Sequence, residues 1–247
     1  MNMTLKEKFL SGWNRYFPGE EPPLAFYYTD DETDGELIPA GLPGHCVLGA
    51  LALARRGGTP RFSAASMGCG GARRCCGFQS GFRPGYEHFI SQGSPEGGEG
   101  RRYKKSPELV LEMMRTCKLM SAPARFLVFK RFDKLCAGDK PDAVVFFSRP
   151  EALSGLFTLA NYDESAVDGV ICPYTPGCGS IVQYPYMERS SSRPRAVLGM
   201  FDVSARPFVP KGTLSFAVPI EKFERMVSNM DESFLCTKHW DRVKPLL

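Results

Sequence analysis

The tripeptide Gly-Cys-Gly occurs twice in this chain, at residues 68–70 and 177–179, each time between a short β-prone run and a segment with helical spacing. Glycine on both sides of a residue lets the backbone turn sharply or approach another segment closely. Two such corners place the same local geometry at two points of one fold, which restricts the architecture more than any single helix does. The order around them is also shared. "AFYY", the helix "CVLGALALAR", the strand "RFSAAS" and the first tripeptide match "VVFF", the helix "EALSGLFTLAN", the strand "GVICPY" and the second. This order predicts an internal pseudo-repeat (strand, helix, strand, Gly-Cys-Gly, helix), with halves of roughly 1–122 and 123–247. In a chain of 247 residues it favours a single compact α+β domain spanning 1–247, made of mixed sheets and helices. Pairing of related halves would bring the two corners towards one another.

The remaining elements fit that class. Thr4 and Glu7 have capping-box spacing, and Leu5, Phe9 and Trp13 fall on one helical stripe, so the chain opens with an amphipathic helix. "LAFYYTD", "RFLVFKRF", "DAVVFFS", "RAVLGMFDV" and "TLSFAVP" read as strands. "SPELVLEMMRTC", with Ser106 as cap and Pro107 at the first turn, and "IEKFERMVSNM" read as helices. "SQGSPEGGEG" (91–100) is the clearest loop.

Composition excludes several classes. The chain is 43% hydrophobic and 23% charged, as ordinary globular proteins are. A formal charge of +4 is too mild for a nucleic-acid binder. The dense basic run "RRYKK" (101–105) reads as a solvated loop or as an edge that contacts an anion. There is no signal-peptide h-region at the start, and the apolar run Cys46–Ala54 is far too short to span a bilayer. The expectation is a cytoplasmic protein with no membrane and no nucleic-acid partner. A small-molecule ligand and a homo-oligomer both stay open.

The nine cysteines are an odd number, and Cys75 and Cys76 are adjacent, which suits a disulfide framework poorly. No Cys-x-x-Cys occurs, so a zinc ribbon and a thioredoxin-like pair are both disfavoured. Cys46, Cys69 and Cys178 are the cysteines placed at predicted helix starts, where unpaired amides and the helix dipole favour a thiolate. Cys69 and Cys76, on one helix face, would lie about 10 Å apart along the axis. Cys172 falls in a predicted strand, and Cys117, Cys136 and Cys236 read as buried filler or surface thiols. Three converging thiolates suit an iron–sulfur cluster with one iron left open. Zinc with a histidine, His45 or His88, is a second option, and redox signalling through a reactive thiol is a third. The same glycine-rich backbone, Gly68, Gly70, Gly71, Gly177 and Gly179 with Arg73 and Arg74 nearby, would equally serve an anion-binding module. P-loop, zinc-protease and serine-hydrolase motifs are absent.

The phrases "CVLGALALARRGG", "SMGCGGARRCCGF", "YKKSPELVLEMM", "DAVVFFSRPEALSGLFTLANY", "PGCGSIVQYPY" and "RAVLGMFDVSAR" resemble the ArCR family, domain-of-unknown-function family 169, over nearly the whole chain. The resemblance implies cysteines at the positions of Cys46, Cys69 and Cys178 as part of the family pattern, and not the other six. It implies no activity. Members are frequent in anaerobes and archaea, a setting congenial to an exposed cluster. The reading that follows is a cysteine-centred cofactor-binding or redox protein, with Cys46, Cys69 and Cys178 as ligands of an iron–sulfur cluster. The alternative is a non-catalytic module that binds a small anion.

Overall fold

The computed structural model describes residues 1–41, 46–94 and 98–247. Within them, eight strands form one sheet: β1 (Leu24–Thr29), β2 (Glu36–Leu37), β3 (Pro60–Phe62), β4 (Phe126–Arg131), β5 (Ala143–Ser148), β6 (Val170–Ile171), β7 (Ala196–Gly199) and β8 (Leu214–Pro219). Their spatial order is β2-β3-β4-β1-β5-β8-β7-β6. The helices are α1 (Met3–Tyr16), α2 (Val47–Arg55), α3 (Gly70–Cys75), α4 (Tyr86–Ile90), α5 (Pro107–Thr116), α6 (Pro150–Ala160), α7 (Tyr184–Glu188), α8 (Ile220–Asn229) and α9 (Lys238–Asp241). The α+β class is therefore the observed one.

The central strands are apolar without interruption because both faces of the sheet are covered. On one face Ala25, Tyr27, Val128, Val144, Phe146, Phe216 and Val218 pack against Phe9 and Trp13 of α1, Leu153 and Leu156 of α6, and Phe223 and Met226 of α8. On the other, Leu24, Phe26, Leu127, Phe129, Val145 and Ala217 meet Leu48 and Leu51 of α2, Ala72 of α3, and Ile181 and Val182. The alternation along β1 thus feeds two separate cores. All of the candidate cysteines sit on the second face.

α1 begins two residues earlier than the capping-box spacing implies. The side chain of Asn2 accepts the Thr4 and Leu5 amides, at 3.0 and 3.3 Å, so Asn2 is the cap. "RFSAAS" and "GVICPY" pair over shorter spans than their composition suggests, as β3 and the two-residue β6. Among the described residues no helix is long and apolar enough to cross a membrane.

The sheet orders its strands differently from the repeat predicted from sequence. Counted outward from the centre, β1, β4, β3 and β2 run on one side and β5, β8, β7 and β6 on the other. The pairing senses match as well. β1·β4 and β5·β8 are antiparallel, β3·β4 and β7·β8 are antiparallel, and the outer pairs β2·β3 and β6·β7 are parallel. In this arrangement the two Gly-Cys-Gly tripeptides are not equivalent, because the first follows β3 and the second follows β6. The position equivalent to Cys178 is Cys46. Each opens the helical crossover that joins two parallel outer strands, β2 to β3 through α2 and β6 to β7 through residues 179–188. Sequence order alone could not show which strands are joined by crossovers.

Gly155 shows how tightly the first core is closed. A Cβ there would lie 2.4 Å from Trp240 Cη2 and 3.0 Å from Phe17 Cε1. Gly→Ala inside a helix ordinarily gains up to ~1 kcal/mol. At this position overpacking reverses the sign, and Gly155→Ala is expected to lower unfolding stability by about 1–3 kcal/mol in urea denaturation. A stabilised variant would contradict this packing.

Candidate cysteine site

Three segments meet on the second face of the sheet. Cys46 is the N-cap of α2 and Cys69 is the N-cap of α3. Cys178 precedes a π-helical stretch, Gly179–Gln183, that continues into α7. Single-turn π-helical segments occur often at functional sites. The junction is made by close backbone contact. A Cβ on Gly177 would lie 2.9 Å from Ala205 Cβ, 3.0 Å from Leu48 Cδ1 and 3.1 Å from Met200 Sδ. One on Gly71 would lie 3.6 Å from Cys69 Sγ and 4.0 Å from Pro176 Cβ. One on Gly179 would lie 2.0 Å from Thr175 Oγ1, and one on Gly41 would lie 2.4 Å from the Gly68 nitrogen. Gly177 and Gly179 are therefore glycines of close approach, and neither has a positive φ. Gly70 faces open space.

The thiols form one electrostatic neighbourhood. Burial pushes the pKa of Cys178 well up, and Cys76, Cys46, Cys75 and Cys69 add to the effect. Burial likewise raises Cys46, partly opposed by the Leu48 and Gly49 amides facing its sulfur, with Cys69 and Asp202 raising it further. Cys75 is pushed up to about 11, chiefly by burial. Cys76, fully buried, lies well above the usual thiol range for the same reason. The lowered thiol pKa expected at helix starts is thus reversed at Cys46 and Cys178. At both positions desolvation outweighs what the helix start supplies.

Other groups hold the junction in shape. Asp202 Oδ2 accepts the Gly177 amide at 3.0 Å, while Oδ1 accepts the Ser204 amide and hydroxyl at 2.9 and 2.8 Å. Met200 is 1% exposed and left-handed, with φ at 68°. That conformation is strained for a side-chain-bearing residue, and Arg206 supports it through bonds to the Met200 and Thr213 carbonyls. The strand expected over "RAVLGMFDV" ends at Gly199, and the chain turns into the 200–209 loop instead. Its one legible signal was "DVS", an Asp two residues before a Ser, the pattern of an Asx turn. Arg73 donates from Nε to the Met67 carbonyl at 2.6 Å, bracing its own turn.

Of the two histidines considered as zinc partners, one lies among the described residues. His45 lies outside the described residues, and His88 on α4 has Glu87 as its ionic neighbour at 3.8 Å. Cys172 is exposed beyond β6 rather than inside a strand, and Cys136 and Cys236 are exposed. Among the described residues, no three His, Cys, Asp or Glu side chains already stand together as a group that could hold a metal ion.

A family model for uncharacterised ArCR, domain-of-unknown-function family 169, matches residues 17–229. This chain belongs to the ArCR family. No curated protein and no solved structure matches it. The ArCR match spans β1 through α8, so it includes both crossovers and all three junction cysteines.

The geometry orders thiol reactivity in this ArCR protein. With iodoacetamide and peptide mass spectrometry, Cys136, Cys172 and Cys236 are expected to label first. Cys46 and Cys69 follow, and Cys75, Cys76 and Cys178 label only on unfolding. Labelling of Cys46 should keep rising through the alkaline range, because its thiol titrates above the usual value. A plateau at neutral pH would contradict the burial argument.

Proposed function

We propose that this ArCR protein is a cysteine-centred cofactor-binding protein in which Cys46, Cys69 and Cys178 hold an iron–sulfur cluster. The observation that supports it is convergence. Thiols 132 positions apart in the chain, opening two equivalent crossovers, lie in one electrostatic neighbourhood with a third from α3. Cys46 and Cys69 are partly exposed while Cys178 is buried, so the site is open on one side. Buried, protonated thiols are poor nucleophiles, which weighs against thiolate catalysis. Ligation instead releases the thiol protons on binding. Three sulfur ligands leave one iron for a substrate or a non-protein ligand. As no three donors among the described residues are already grouped for an ion, loading draws the sulfurs closer together. Nine free cysteines and this chemistry belong to a reducing cytoplasm.

Anaerobic reconstitution with iron and sulfide, followed by metal and sulfide analysis, tests the proposal. Cluster content should rise with pH, since loading must displace protons from thiols whose pKa values are raised. Cys46→Ser, Cys69→Ser and Cys178→Ser should each lose most of the bound iron, while Cys136→Ser retains it. Failure of the wild-type chain to take up iron and sulfide, or equal uptake by the triple variant, would overturn the assignment.

A further inference from the structure

Beside the cysteine junction lies a buried cation that pairs with no carboxylate among the described residues. Arg74 on α3 is 5% exposed. Its guanidinium carbon lies 4.2 Å from the ring centre of Phe82 and 5.0 Å from that of Tyr86. Its Nε is buried and has no hydrogen-bond partner. Among the described residues no carboxylate pairs with it. The polar groups that face it are Cys75 and Tyr86, which hydrogen-bond its side chain, with Cys117 and Tyr184 beyond. These are thiols and phenols, and burial raises the pKa of Cys75, Tyr86 and Tyr184.

Arg61, 6% exposed, also has an unpartnered Nε and lies over a ring, but its Nη1 donates to the Asp31 carbonyl at 3.0 Å, and two lysines are paired with carboxylates. Lys222, 1% exposed, has Glu164 Oε1 at 2.6 Å. Lys130 has Asp139 Oδ1 at 3.0 Å. An isolated buried charge is costly unless something pairs with it, and Arg74 has neither a carboxylate nor a carbonyl against it among the described residues. The cover over it is thin. Phe82 and Tyr86 are only half-buried, and Phe82 sits between Gly81 and Gly85, left-handed glycines with no atom near an added Cβ. The Phe82 ring is thus carried on a segment flanked by conformationally permissive glycines. The surroundings are basic as well. Residues 70–118 carry nine Lys or Arg and five Asp or Glu, a surplus that equals the +4 of the whole chain.

We propose that Arg74, framed by Phe82, Tyr86 and Tyr184, is the anchor of a binding site for a small oxyanion, a carboxylate or a phosphate group. The planar guanidinium fork matches either group in a two-point hydrogen bond, and the ring faces hold the fork in place. This site lies outside the proposed cluster ligands and does not depend on them.

Thermal unfolding of the purified full-length protein, titrated with inorganic phosphate and separately with acetate at constant ionic strength, tests the site. One of the two should raise Tm saturably, by ~5–10 °C at a hundredfold excess over Kd, where chloride does not. Whichever acts identifies the group. Arg74→Met should abolish the response and raise Tm without added anion, because a neutral side chain carries no burial penalty. Arg73→Met should keep the response. Cys117 alkylation in the wild-type protein gives a second readout, slowed by the effective anion, and it decides the matter if Arg74→Met does not fold. No anion-specific Tm shift, a full response in Arg74→Met, or unchanged Cys117 labelling would overturn the site.

Discussion

The junction rests on one steric constraint, the absence of a side chain at Gly177. Leu48 from α2, and Ala205 and Met200 from the loop after β7, all press to within about 3 Å of where a Cβ would stand. That contact seats the start of one crossover against the start of the other. The Asp202 carboxylate then fixes the turn by accepting the Gly177 amide. A strained, left-handed Met200 is tolerated because Arg206 and the surrounding packing hold it there. The cysteines are brought together as a consequence of backbone approach, with no disulfide among the described residues to tie them.

The architecture explains why two of the three cysteines are alike and the third is not. Cys46 and Cys178 open the crossovers of two sheet halves whose strand order and pairing senses match. Cys69 comes from a turn after β3 that has no counterpart after β7. Three thiols thus come from two equivalent positions and one that breaks the equivalence. Burial then decides their chemistry. It keeps Cys46 and Cys178 protonated at neutral pH, and a metal centre is the kind of partner that can displace those protons.

Much of the fold was legible in the chain. The runs that became β1, β4, β5 and β8 are continuous and aromatic or branched, which two-sided burial demands, and α2, α5, α6 and α8 carry ordinary start and stop signals. The starts of α2 and α3 at Cys46 and Cys69 were readable from Gly and Pro punctuation. The repeat was not, since Gly-Cys-Gly marks close packing at 177–179 and a helix start at 68–70, two physical causes with one spelling. Nor was the direction of the thiol pKa values, because helix position is local whereas desolvation depends on every segment that packs nearby. Arg74 gave no signal beyond its neighbour Arg73. Only the fold separates a guanidinium spent on a carbonyl from one buried beneath two rings.

The convergence of Cys46, Cys69 and Cys178 is the claim on which the functional account rests, and a trivalent arsenical measures it without assuming any metal. Such a reagent binds stably only where two or three thiols are neighbours. In a variant with Cys117, Cys136, Cys172 and Cys236 changed to Ser, one equivalent should bind the folded protein and protect Cys46 and Cys69 from alkylation together, with tighter binding while Cys178 is present. Absence of binding, or arsenic confined to Cys75 and Cys76 with Cys46 and Cys69 still free to react, would contradict a shared site.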